Sequence, residues 1–306
     1  MTATTSTRAQ KTRAQRWVLV LSLVITLVLI ARFLVMPAWM PTAIAYAPNF
    51  GKSAELTEAT NSDLPACSGV SRQLRVVVGP PQASLSIWVM ENSLNLRKPK
   101  GTVLLLHGIR DSKLSMIGVG RMLAESGYRA LLADLRGHGR SSGDWLTYGV
   151  VDSRDLVQVL DHLATQALLD EPVGVFGCSY GAATSIQWAA RDPRVKSVVA
   201  VAPFTTLYDA VTSFTRQFAP VWLVSKETIS GAVAEAGRLA NSLLTDAISP
   251  EFIGYLAQIS FDMPFGTSLN SIHRPVSQMQ RSWSLLVNQL LNALRLRVKN
   301  ISFGPG

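Results

Sequence analysis

Apolar residues fall along this chain in three rhythms. Between residues 17 and 36, WVLVLSLVITLVLIARFLVM, they run almost unbroken. Between 72 and 203 they come in short blocks, each nearly continuous and each closed by Gly, Pro, Asp or Ser. LRVVV (74–78), SLSIWVM (84–90), TVLLLHG (102–108), YRALLADLRG (128–137), VGVFG (173–177) and VKSVVAVAP (195–203) read as strands. The segments between them read as helices: around 114–126, near 152–168, and Ala182–Arg191. In the second of these Leu156, Val159, Leu160 and Leu163 recur at helical spacing. Strands that alternate with helices and carry apolar residues on both faces predict an α/β fold, a mostly parallel sheet covered by helices on both sides. From 204 to 270 the blocks give way to helix-like stretches with no clear strand. A helical insertion or lid is expected there, with either a packing or a gating role.

The first rhythm is that of a membrane segment. Arg8, Lys11, Arg13 and Arg16 precede it, and Trp17–Met36 supplies 20 residues that span a bilayer if Arg32 snorkels to the interface. The basic residues in front predict a single-pass anchor with its N-terminus in the cytoplasm and the main domain on the other side. The competing reading is a secreted protein, cleaved at the small-residue run AIAYA (43–47). The expected organisation is a basic tail and signal anchor (1–36), a linker (37–71) rich in Pro, Ala, Ser, Thr and Asn, a main domain (72–276) and an atypical tail (277–306).

Charge follows this division. The chain has 29 basic and 20 acidic residues, a formal net charge of +9. Residues 1–32 and 263–306 hold five basic residues each and no acid, which leaves 19 basic against 20 acidic in between. The main domain is therefore neutral and a nucleic-acid partner is not expected. Two cysteines, Cys67 and Cys178, do not make a disulfide framework. No Cys, His and carboxylate cluster has ligand spacing, so neither metal nor organic cofactor is implied.

The chemistry is concentrated in VGVFGCSYGAATS (173–185), an apolar strand, then Gly177-Cys178-Ser179-Tyr180-Gly181, then a helix start of small residues. This is how a serine nucleophile is mounted on a sharp strand-to-helix turn. The helix start aims backbone N–H groups at developing negative charge. Two further motifs close earlier strands: LLLHGIRDS (104–112) and DLRGHGRSSG (134–143). With these three motifs in this order, the stretch from about 72 to 204 resembles the α/β-hydrolase fold, in its esterase, lipase and serine-peptidase-like branch. The resemblance implies Ser179 as nucleophile and the backbone N–H groups of Tyr180 and Ile109 as oxyanion donors. It implies structural roles for His107 and His138, and hydrolysis of an ester, amide or thioester in a small-molecule or acyl substrate.

The family's acid and histidine are expected after the lid. SIHRPV (271–276) resembles the entry to that region, but no acidic residue follows Asp262 and no histidine follows His273. The last strands of the fold are expected to be missing. Asp209, after the strand ending near Ala202-Pro203, and His273 are the candidates for acid and base. The tail carries an amphipathic stripe of Trp283, Val287, Leu290, Leu291, Leu294 and Val298. It reads as a membrane-surface helix, a helix closing the sheet edge, or the product of an altered reading frame. A hydrolase-like scaffold that binds a partner without turnover is the alternative function.

Overall fold

The computed structural model of the protein describes residues 4–52, 69–94, 98–204, 206–218 and 224–244. His273, the lid beyond 244 and the tail helix lie outside the described residues.

Six strands form one sheet: β1 (Arg72–Val78), β2 (Ala83–Met90), β3 (Thr102–Leu106), β4 (Arg129–Ala133), β5 (Val173–Cys178) and β6 (Val195–Val201). Their order is β1-β2-β4-β3-β5-β6. β1 and β2 form a hairpin in which Val78 faces Ala83, and β2 pairs antiparallel with β4. The pairs β3–β4, β3–β5 and β5–β6 are parallel. The expected α/β fold, mostly parallel, is the fold observed.

The unbroken apolar blocks have their reason here. β2, β3 and β4 are buried at every residue, so their apolar residues fall on both faces. On one face Val103, Leu105, Ala130, Leu132 and Phe176 pack with Val119, Leu123 and Ala124 of helix α3 (Ile117–Glu125). On the other face lie α4 (Val150–Thr165) and α5 (Tyr180–Arg191), which pack on each other. α4 also meets β1, and α5 meets β3, β5 and β6. The four α4 residues at helical spacing, Leu156, Val159, Leu160 and Leu163, are all buried.

The chain divides into two compact units. One, built on Tyr46–Leu207, holds the sheet and its helices. The other gathers Met1–Ala45 with Tyr208–Ser242. In it α1 (Thr4–Ile30) passes through a π-helical turn at Ala31–Val35 into α2 (Met36–Ala45). The stretch Gln15–Ala45 is long and apolar enough to cross a membrane, with a mean hydropathy of 2.9 in its most apolar window. Trp17, Leu21, Val24, Phe33 and Trp39 are all exposed. Of residues 204–244, expected to be helical, Leu207–Phe218 forms α6 and Lys226–Leu244 forms α7. α7 begins where the Thr228 N–H donates to Ser225 Oγ at 3.2 Å, a side-chain N-cap. Its Ile229, Ala232 and Ala236 are buried along one stripe.

The stretch read as a linker holds a built element. After α2, residues 46–52 are stitched onto the turn that follows β4. Ala47 N–H donates to Asp144 O at 2.9 Å and Asn49 N–H to Gly137 O at 3.0 Å. Asn49 Nδ2 donates to Gly139 O at 3.0 Å and Ser141 O at 2.8 Å. Tyr46, Phe50 and Trp145 form an aromatic cluster with centroids 4.1 to 5.7 Å apart. This strap belongs to the sheet unit.

Candidate active site

The carboxyl ends of β3, β4 and β5 meet at three turns, which hydrogen bonds tie to one another. In the turn after β4, Asp134 accepts the backbone N–H groups of Lys113 at 2.7 Å and Arg140 at 2.8 Å, and it pairs with the buried Lys113 ammonium. A Cβ on Gly139 (φ +53°) would stand 2.4 Å from that carboxylate, so only glycine fits. Ser141 Oγ donates to Asp134 O and receives the Ser86 N–H, tying the turn to β2. Arg136 forms a bidentate pair with Asp155 of α4, both contacts at 2.8 Å. The Asp-x-Arg-Gly-x-Gly-x-Ser motif is thus a clamp around the turn.

His107 holds the turns after β3 and β4 together. Its Nε2 accepts the Leu135 N–H at 3.0 Å, so Nδ1 carries the proton and donates to Gly108 O at 2.7 Å. His138 places Nδ1 2.8 Å from Arg136 O. Both imidazoles are fully buried. Burial pulls the His107 pKa below its ordinary value and, with help from neighbouring His107, pushes His138 down to about 4. Burial keeps both rings neutral, and His107 uses both of its nitrogens in bonds to the turns.

The elbow comes directly after β5. Ser179 has φ 49° and ψ −108°, a backbone region foreign to residues with a side chain. Three hydrogen bonds hold it there: Ser179 N–H to Val201 O (2.8 Å), Gly181 N–H to His107 O (3.0 Å) and Ala183 N–H to Ser179 O (3.0 Å). A Cβ on Gly177 would lie 2.3 Å from Gly181 O, and one on Gly181 2.4 Å from Leu106 O. Both glycines are therefore demanded by packing. Ser179 is exposed, and its Oγ has no hydrogen-bond partner among the described residues.

The oxyanion candidates flank this serine. Tyr180 is the first residue of α5, and Ile109 follows Gly108, on which a Cβ would stand 3.7 Å from that of Ser179. Among the described residues neither the Tyr180 nor the Ile109 N–H has a partner. The turns after β3 and β5 thus bring Ser179 and the His-Gly turn together. Asp209 is exposed in the first turn of α6, a helix of the other unit. Cys178 is half-buried, and burial raises its thiol pKa to about 11.

The side chain of Tyr180 was not legible as part of the site, nor was the loop 144–149 beneath it. The Tyr180 hydroxyl is hydrogen-bonded to that loop and to Asp152. Thr147, Gly149 and Asp152 form the start of α4, and the Gly–x–x–Asp spacing of a helix N-terminus was the available signal.

A family model described as serine aminopeptidase, S33, matches residues 97–251. The uncharacterized protein YqkD of Bacillus subtilis (strain 168) is 28% identical over 88 residues, 29% of this chain and 29% of that protein. The chain therefore aligns with less than a third of that curated relative. An esterase of Pyrococcus furiosus is 23% identical with a TM-score of 0.46, over 59% of this chain and 70% of that one. Epoxide hydrolase A of Mycobacterium thermoresistibile is 21% identical with a TM-score of 0.35, over 48% of this chain and 45% of that one.

Proposed function

Because the chain belongs to the serine aminopeptidase S33 family of α/β hydrolases, we propose that it cleaves an ester, amide or thioester through an acyl-enzyme on Ser179. One observation carries this reading: an exposed hydroxyl on a strained turn, flanked by two backbone N–H groups that nothing in the described structure uses. Ser179 Oγ attacks the carbonyl carbon as its proton passes to a general base. The carbonyl oxygen gathers negative charge and takes the N–H groups of Tyr180 and Ile109, aided by the N-terminus of α5. Collapse expels the leaving group, which takes the proton from the base. Water then repeats the sequence on the acyl-enzyme and frees Ser179.

The base in this reading is His273, with Asp209 as its acid. His107 and His138 are enclosed. His162 lies in the last turn of α4, and in a strand–helix–strand unit that end leads to the amino ends of the strands, away from the elbow. The same fact favours the second reading, a scaffold without turnover, since the described residues hold no imidazole fit for the role.

Topology completes the proposal. The N-terminal helix is an uncleaved single-pass anchor with Arg8 to Arg16 in the cytoplasm and the hydrolase domain on the other side. Secretion after cleavage at 43–47 is disfavoured because Ala47 is buried and Tyr46 belongs to the aromatic cluster of the strap.

An alkyl fluorophosphonate tests the chemistry. Full-length protein in detergent should be labelled, Ser179→Ala should not, and His273→Ala should be slowed by ~1,000-fold or more, the order expected on losing the base. Folded wild type that resists labelling would select the scaffold.

A further inference from the structure

Acyl transfer as proposed uses only the backbone of Tyr180, yet its side chain is among the most enclosed of the described residues, 1% exposed. The hydroxyl accepts the N–H groups of Thr147 at 3.1 Å and Tyr148 at 2.9 Å. It donates to Asp152 Oδ2 at 2.9 Å. That same oxygen takes the Thr147 hydroxyl and, at 3.1 Å, the Gly149 N–H. Asp152 N–H closes the ring on Thr147 Oγ1 at 3.3 Å. Asp152 itself is 1% exposed, and its other oxygen has no partner among the described residues. The loop is fixed from further directions. Gln187 Nε2 of α5 donates to Tyr148 O at 2.8 Å, and the Tyr148 ring packs against that of Tyr180 at 5.6 Å.

A tyrosine has two side-chain torsions. With its hydroxyl held by three partners, neither can turn, and the ring becomes a rigid strut between loop 144–149 and the first peptide of α5. The peptide is also gripped on each side, through Ser179 N–H and Gly181 N–H. A backbone donor is useful to an oxyanion only if its direction is fixed before charge develops. From this geometry we infer that Asp152 is a positioning residue, which orients the Tyr180 N–H beside Ser179 through the Tyr180 hydroxyl. The inference deepens the acyl-transfer reading and rests on it for its catalytic consequence, while its geometric content stands independently.

Tyr180→Phe removes one oxygen and keeps the ring. Asp152→Ala removes the acceptor, and Asp152→Asn restores one. For p-nitrophenyl butyrate, with active sites counted by fluorophosphonate, Tyr180→Phe and Asp152→Ala should each lower kcat ~10-fold to ~100-fold. KM should stay within about 3-fold. The double variant should lose no more than the worse single one, because both act through one contact. Asp152→Asn should recover most of the rate, and Tyr180→Phe alone carries the loss-of-rate test if Asp152→Ala does not fold. Full kcat in folded, destabilised variants would overturn the inference and leave Ser179 as nucleophile. Hydrogen exchange of the 177–185 peptide serves as the readout if wild type proves inactive. Faster exchange in Tyr180→Phe supports the strut whatever the chemistry, and unchanged exchange overturns it.

Discussion

Ser179 is the residue at which structure and stability pull apart. Its φ of 49° with ψ −108° costs a residue with a Cβ about 1–3 kcal/mol, and glycine almost nothing. Ser179→Gly should therefore be more stable than Ser179→Ala by ~1 kcal/mol, after allowing for glycine's looser unfolded chain. That is a Tm difference of about 2–4 °C in thermal melts of a domain this size. Both variants should be unlabelled by fluorophosphonate, which separates strain from chemistry. The serine and its glycines were legible because a fixed spacing encodes the turn. The Tyr180 hydroxyl was not, because its partners in loop 144–149 are over 30 residues away and no local pattern pairs them.

Among the elements, the strap formed by residues 46–52 departs most from its sequence. Its bonds run from backbone amides and from Asn49 to carbonyls about 90 residues on, in the turn after β4. Such bonds leave no apolar period, so the Pro- and Ala-rich composition pointed to a linker. The strands and α4 were legible for the opposite reason, since burial on one or both faces writes itself as apolar spacing. Asn49 is buried and donates to two carbonyls. Asn49→Ala in the full-length chain should cost about 1–3 kcal/mol, the range for leaving buried polar groups unpaired. A Tm lowered by several degrees, with Ser179 labelling intact below the transition, is the expected result.

At the scale of the molecule, stability should depend on pH through two imidazoles. His107 and His138 are buried and neutral, with pKa values below the ordinary one, His138 at about 4. The unfolded chain takes up these protons near pH 6.5 while the folded protein resists. Folding free energy is thus undiminished above about pH 7 and falls as pH drops from about 6.5 toward 4. Melting temperatures at pH 7.5 and 5 should show the loss, and His138→Gln should flatten it despite lower stability at pH 7.5. Asp209 belongs to the unit of the N-terminal helices, and His273 lies beyond residue 244. The elbow's two glycines and its serine would fare differently under mutational drift. Any Cβ at 177 or 181 would strike backbone, so folding alone preserves those positions with or without an activity. Nothing in the fold protects Ser179, and replacing it with glycine would relieve strain. A lineage freed from catalysis would keep the glycines and shed the serine first, so in any relative of this chain the serine, rather than the motif around it, records selection for turnover.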